Sequence, residues 1–263
     1  MSPIGVLIDF TDLCFTSVRF AAEISKKNKA KISLIHVAHD EKKKAEVEAK
    51  FEPYIKMLKD AGLETKIELT FGDFEDVIPK FLKQLGVELV IVGTHGAKGI
   101  KQALFGSNIL HLMQHISQPA IVVHKNSITP KQGDSKILFT MAPHENFQKK
   151  ISETIKMARI FDSKIIVYTI LKSGDVLGED IKRNKKLALE AFKNEGVNYE
   201  VVDEPATVYS FGFGKQILQY SSDNNIDVVS ILSTVSTQAV LGNADKERII
   251  LNEKEIPVFC VNN

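Results

Sequence analysis

The chain has 263 residues, with 34 Lys plus Arg against 33 Asp plus Glu and a formal net charge of +1. That balance excludes the strongly basic total expected of a general nucleic-acid binder, and 44% hydrophobic with 25% charged residues excludes a disordered chain. Divided at residue 130, the two parts carry 17 basic and 15 acidic, then 17 basic and 18 acidic residues, so neither is a charged tail or a membrane-surface module.

Short runs rich in Val and Ile predict strands at Ile4–Asp9, Ile32–Val37, Lys66–Leu69, Leu89–Val92 and Ala120–Val123. A second set follows at Lys136–Thr140, Ile165–Ile170, Tyr199–Val202, Asp227–Leu232 and Pro257–Val261, in the same order and offset by about 132 to 139 residues. Most of these runs are continuous rather than alternating, the mark of strands buried on both faces. Between them, helical spacing predicts a helix over 12–28 with Thr11 or Asp12 as N-cap, and a charged helical segment over 41–61 that Pro53 restarts or kinks. Another helix opens at Asp73 and carries Pro79 inside it, and one over 107–116 precedes the last strand of the half. The second half repeats the scheme with helices near 147–160, 179–195, 213–224 and 244–252.

Alternating strands and helices imply right-handed crossovers and a mainly parallel sheet with helices on both faces. The polar segment from Ser127 to Asp134 reads as a linker. The expected organisation is therefore two tandem α/β, Rossmann-like domains over 1–126 and 135–263, each with a five-stranded sheet, joined through 127–134. The two cysteines, Cys14 and Cys260, form no CxxC pair and read as buried apolar side chains. The start, MSPIGVLIDF, has no basic leader region, and no apolar run approaches the ~18 residues that span a bilayer. The expectation is a cytoplasmic chain with no membrane partner.

The stretch that carries chemistry runs from Leu89 through Gly93-Thr94-His95-Gly96-Ala97-Lys98-Gly99 to Phe105-Gly106-Ser107-Asn108. A buried strand ends at Gly93, a glycine-rich loop follows, and Gly106-Ser107 falls where a helix should begin. Glycines let backbone approach a ligand, and free N–H groups at a helix start favour an anion. The Walker pattern GxxxxGK followed by Ser or Thr is absent. So is GxGxxG after the first strand, which ends in Asp9.

The spacing Gly93-x2-Gly96-x9-Gly106-Ser107 satisfies the pattern Gly-x2-Gly-x9-Gly-Ser/Thr of the universal stress protein family, and the surrounding VIVGTHGAKGI…LFGS…QPAIVVHK resembles that family along its whole length. Asp9 and His36-Val37 add to the likeness, which covers nearly all of 1–126 and, more weakly, 135–263. The chain thus resembles a tandem universal stress protein with adenine-nucleotide α-hydrolase-like domains. The resemblance implies an adenine nucleotide, ATP or AMP, with or without Mg, at the carboxyl ends of the strands. Carried over, it places Asp9 near adenosine and Val37 at adenine. Gly93, His95 and Gly96 would line the ribose and phosphate loop, and Gly106, Ser107 and Asn108 would hold phosphates. Asn108 stands where many members have an apolar residue.

Each residue also has a plainer reading. Gly93 and Gly96 could serve a tight loop, Asp9 could cap the first helix, and His95 could matter through its backbone alone. His111 and His115 are spaced i, i+4, but without HExxH or a third ligand they read as a solvated face. In the second half, Ser233-x2-Ser236 stands in for the glycine pair, Gly242-Asn243 replaces Gly-Ser, and Thr140 or Met141 stands about where Asp9 does. Asp245 and Glu247 would repel an anion from the following helix start. The expectation is one nucleotide site per chain, in the amino-terminal half.

The leading functional reading is a nucleotide-dependent stress module with an unidentified protein partner. The alternatives are a slow ATPase, for which no Walker lysine, arginine finger or evident base appears, or a scaffold that binds no nucleotide. By analogy with family dimers, the last strands of the two halves would pair as an intramolecular pseudo-dimer, and a homodimer of the whole chain stays open.

Overall fold

The computed structural model describes residues 3–38, 40–95, 109–171, 177–207, 212–234 and 241–262. The chain forms two compact units, residues 1–129 and 130–263, each an α/β unit built on a parallel sheet.

In the first unit the strands are β1 (Ile4–Leu7), β2 (Ile32–Ala38), β3 (Thr65–Phe71), β4 (Leu89–Gly93) and β5 (Ala120–Val123), in the order β3-β2-β1-β4-β5. Every printed pairing is parallel, with Ile4 opposite both Ile32 and Leu89. All four residues of β1 and of β5 are buried, as covered faces require. β3, at the edge, is half-exposed along most of its length.

Helix α1 (Cys14–Asn28) starts two residues later than the spacing suggested, and neither Thr11 nor Asp12 caps it: its N-cap is Leu13, with no side-chain bond. The side chain of Thr11 is engaged with Asp9 instead. The charged segment after β2 breaks into a short turn and two helices, α2 (Lys44–Ala49) and α3 (Glu52–Asp60). Pro53 sits in the first turn of α3, where its missing N–H costs no hydrogen bond. Helix α4 (Phe74–Gln84) begins at Asp73, whose carboxylate accepts the Glu75 amide, and it accommodates Pro79 within its length. Helix α5 (Ile109–His115) leads to β5.

The second unit contains β6 (Lys136–Thr140), β7 (Lys164–Leu171), β8 (Tyr199–Pro205), β9 (Val228–Leu232) and β10 (Val258–Val261), in the order β10-β9-β6-β7-β8. Again every printed pairing is parallel. The crossovers are α6 (Gln148–Phe161), α7 (Glu179–Asn194), α8 (Phe213–Asp223) and α9 (Asn243–Ile250). β8 runs three residues beyond the apolar run because Asp203, Glu204 and Pro205 continue the register opposite Thr169, Ile170 and Leu171. As an edge strand it tolerates proline and charge.

In each unit the first strand lies between the second and fourth, so the order in which strands are added reverses at β1/β4 and at β6/β9. A crevice opens at the carboxyl ends of the strands at such a switch point, where open α/β sheets bind ligands.

The core of the second unit rests on aromatic contacts: Phe192, fully buried, meets Phe139 edge-on at 5.3 Å, and Phe139 meets Phe147 at 5.4 Å. Phe192→Ala should cost about 3–5 kcal/mol, read as a lowered urea midpoint for this unit.

Candidate functional site

β1 ends at Leu7, so Asp9 stands in the loop beyond it, half-buried. One of its carboxylate oxygens, Oδ1, accepts from the Thr11 amide at 3.0 Å, the Thr11 hydroxyl at 2.7 Å and the Cys14 thiol at 3.1 Å. This is a side-chain turn bonded two residues on, not a cap of α1. Among the described residues no group donates to Oδ2. The carboxylate is thus held by one oxygen and offers the other as an acceptor.

Thr11 and Cys14 do the holding, and Tyr54 backs Thr11. Cys14 is buried, and that burial, reinforced by the charge of Asp9, pushes its thiol up to about 12. It therefore stays an S–H donor across the neutral range. The phenol of Tyr54 reaches the Thr11 carbonyl at 3.5 Å, and burial also raises its pKa. The sequence signal for Thr11 was Asp-x-Thr, a local turn motif; Cys14 and Tyr54 gave none, because their contacts depend on how α1 and α3 meet the end of β1.

Phe10, beside Asp9, adopts φ +64, a left-handed conformation that bulky residues rarely take. Its ring packs on His36 at 4.5 Å and Phe51 at 5.0 Å. The His36 ring Nδ1 lies 2.7 Å from the Ile8 carbonyl, tying β2 to the end of β1. Val37, the next residue, is buried and pairs with Thr70.

Gly93 closes β4 opposite Val123. A Cβ on Gly93 would stand 2.5 Å from Leu13 Cγ and 2.8 Å from Leu13 Cδ2. This glycine therefore has a packing reason of its own: it lets the start of α1 lie directly on the strand. Thr94 follows, buried, its amide donating to the Val123 carbonyl at 2.9 Å. His95 is half-buried, and its Nε2 is enclosed with no hydrogen-bond partner among the described residues. Buried polar atoms are seldom left unpaired, and an unmatched one asks for a ligand or water. Asp9, Gly93 and His95 thus sit on the two strand ends that flank the switch point, and Val37 lies on the next strand. Gly96, Gly106, Ser107 and Asn108 lie outside the described residues.

Backbone bonds match the two units residue by residue. The Ile8 amide donates to Ile35 as that of Met141 does to Tyr168, and the Thr94 amide donates to Val123 as that of Ser233 does to Val261. The counterpart of Asp9 is therefore Ala142, one or two positions beyond the expected Thr140 or Met141. Likewise Ile170 matches Val37, Leu232 rather than Ser233 matches Gly93, and Thr234 matches His95. Asp245 also departs from expectation. Its carboxylate accepts the Gly214 amide at the start of α8, 3.0 Å away, instead of facing the start of its own helix, while Glu247 is exposed. That bond crosses between helices, so no local spacing announced it.

His111 and His115 are both exposed and stack at 3.8 Å, with His111 Nδ1 3.5 Å from Glu75. Among the described residues no group of three or more His, Cys, Asp or Glu could hold a metal. None of the described helices is long and apolar enough to cross a membrane.

Two parallel α/β units, the first with an anchored carboxylate and a glycine-ended strand flanking its switch point, define a crevice-binding α/β protein. Comparison with known proteins narrows this: residues 1–124 match the model of the universal stress protein family. At 263 residues it is about two such domains long. A universal stress protein of Methanocaldococcus jannaschii is 32% identical over 83 residues, 31% of this chain and 51% of that protein; the match thus spans about half the length of that curated relative. Among solved structures, a universal stress protein from Archaeoglobus fulgidus superposes with a TM-score of 0.72 at 16% identity, covering 99% of this chain and 96% of that one. A functionally unknown protein from Pseudomonas aeruginosa gives 0.67 at 14% identity, covering 100% and 92%. These two share the fold over the full chain.

Gly93→Ala should destabilise the protein by about 1–3 kcal/mol through the Leu13 clash, visible as a lower urea midpoint with no nucleotide added. Both thiols are pushed up to about 12, chiefly by burial, which leaves about a thousandfold less thiolate at pH 8 than their ordinary value would. Ellman's reagent should therefore find no rapidly reacting cysteine in the native chain, and two after denaturation.

Proposed function

We propose that the amino-terminal unit binds an adenine nucleotide, ATP or AMP, in the crevice at the carboxyl ends of β1, β2 and β4, and that occupancy sets its conformation or its choice of protein partner in a stress response. The observation that carries this reading is the placement of Gly93-x2-Gly96-x9-Gly106-Ser107. The pattern begins where β4 ends at the switch point, inside the segment that matches the family. Asp9 fits the role of adenosine acceptor, since one oxygen is fixed by three donors and the other has none among the described residues. His95 Nε2, enclosed and unmatched among the described residues, suits a polar atom of the ribose or phosphates. Val37 contributes the β2 end of the adenine pocket. Gly96, Gly106, Ser107 and Asn108 would cradle the phosphates through backbone and hydroxyl donors, with Mg as the companion ion of ATP.

In this reading residues 1–126 are the nucleotide-binding domain, 127–134 the linker and 135–263 a degenerate domain, giving one nucleotide site per chain in the cytoplasm. Ligand can shift a conformational equilibrium only by its difference in affinity for the two states, so the module requires that nucleotide bind one of its states more tightly than the other.

Adding ATP or AMP should raise the melting temperature, by an amount that grows with the logarithm of ligand concentration. Asp9→Ala removes a charge-assisted acceptor worth about 1.5–3 kcal/mol, so it should weaken binding about tenfold to a hundredfold. Gly106→Val should abolish binding. A melting temperature unmoved by either nucleotide would overturn the reading.

A further inference from the structure

Asp9 is held by a turn whose one internal residue is Phe10. The carboxylate accepts from the Thr11 amide at 3.0 Å, so the ring closed by this bond runs from the Asp9 side chain through the Phe10 backbone. Both ends of the turn are tied to the start of α1. The Asp9 amide donates to Cys14 Sγ at 3.3 Å, and the Thr11 carbonyl accepts the Cys14 amide at 3.0 Å. The backbone angles of Phe10 therefore set the direction of Asp9 relative to α1.

Those angles are costly ones. At φ +64 a Cβ crowds the following carbonyl, a conformation that glycine takes freely and a bulky side chain seldom does. The other non-glycine residues at positive φ among the described residues, Lys29, Asp162, Asn225 and Glu255, are all polar. Strain of this kind persists only where the surroundings over-determine it, and it collects at ligand sites. Here the surroundings are aromatic: the Phe10 ring lies 4.5 Å from that of His36 on β2 and 5.0 Å, edge-on, from that of Phe51. Phe51 is fully buried and sits at the N-cap of α3. The second unit lacks the arrangement as a set. Since Ala142 matches Asp9, Pro143 matches Phe10. Proline is locked at a φ of about −65° and is barred from the left-handed turn, and the Ala142 side chain gives such a turn no acceptor to aim. The fold itself requires neither partner, because both units keep the same strand order without them.

We propose that Phe10 is the positioning residue of the nucleotide acceptor: its ring, clamped by His36 and Phe51, holds the left-handed turn that aims Asp9 into the crevice. The proposal rests on the nucleotide reading and adds to it a residue that acts through Asp9. Glycine would reach the same backbone conformation without strain, but it would leave the turn loose. Phenylalanine accepts the strain and fixes the turn to β2 and to the start of α3, so the aim of Asp9 is set before ligand arrives.

Titration calorimetry of the intact chain with ATP and with AMP tests this, with urea midpoints measured alongside. Phe10→Ala and Phe10→Gly both delete the ring, but only glycine can keep the left-handed turn without strain. Phe10→Ala should weaken nucleotide at least about tenfold, and Phe10→Gly by about threefold or less. Phe10→Leu, which keeps apolar bulk, should also bind at least about threefold more weakly than Phe10→Gly, and it carries the test if Phe10→Ala does not fold. Adding Phe10→Ala to Asp9→Ala should cost no further affinity, because the first acts through the second. A merely structural role would move the urea midpoints, leave the glycine, alanine and leucine variants equal in affinity, and make the two losses additive; either of the last two results would overturn the proposal while leaving the nucleotide reading in place. Wild-type protein that binds neither nucleotide would overturn both.

Discussion

The contact between Leu13 and Gly93 governs the amino-terminal unit. A strand that ended in any side chain would push the start of α1 away by the width of that group. With glycine there, α1 comes down onto β4 and brings Cys14 close enough to Asp9 for the thiol to donate to its carboxylate. The same residue that opens the family's loop pattern is therefore a packing requirement at its first position. The packing role of Gly93 is compatible with the proposed binding role, because the backbone that admits Leu13 on one side is the backbone that leads into the loop on the other.

Asp9 shows how a fold turns a mobile carboxylate into a directional group. Thr11 supplies two donors locally and Cys14 a third from the first turn of α1. Fixing one oxygen in this way removes rotamer freedom before any ligand arrives, so less ordering is left to be done on binding. The second unit lacks the whole device. The methyl side chain of Ala142 cannot accept a hydrogen bond, and the start of its own first helix contributes Lys150, which turns inward to the Thr140 carbonyl. The two units thus diverge through a few residues at strand ends while keeping strand order and register.

Much of the fold was legible because strands buried on both faces must be continuous apolar runs, and most of the ten appear as such. The edges were harder. β8 extends through Asp203, Glu204 and Pro205, residues that an interior strand would reject and an edge strand admits. Helix α1 begins at Cys14 because Thr11, a good capping residue by type, is already bound to Asp9. In the candidate site, the family resemblance pointed to Asp9, Val37, Gly93 and His95. Of the groups that hold Asp9, Thr11 is local, whereas the Cys14 contact was invisible because it is fixed only when α1 packs at the end of β1. The match between halves slipped by a residue or two for a similar reason: Ser233 looks like the small residue that should replace Gly93, but ladder hydrogen bonds assign that place to Leu232. Asp245, close in sequence to one helix start, serves another.

The account rests on an open anion-binding crevice in the first unit and an altered one in the second. Native mass spectrometry of the intact chain with saturating ATP tests it most directly by counting bound nucleotides. One per chain is the predicted result. None, or two, would contradict it: none because the crevice of the first unit would be closed to nucleotide, and two because Ala142 and Leu232 would then have left the second site intact.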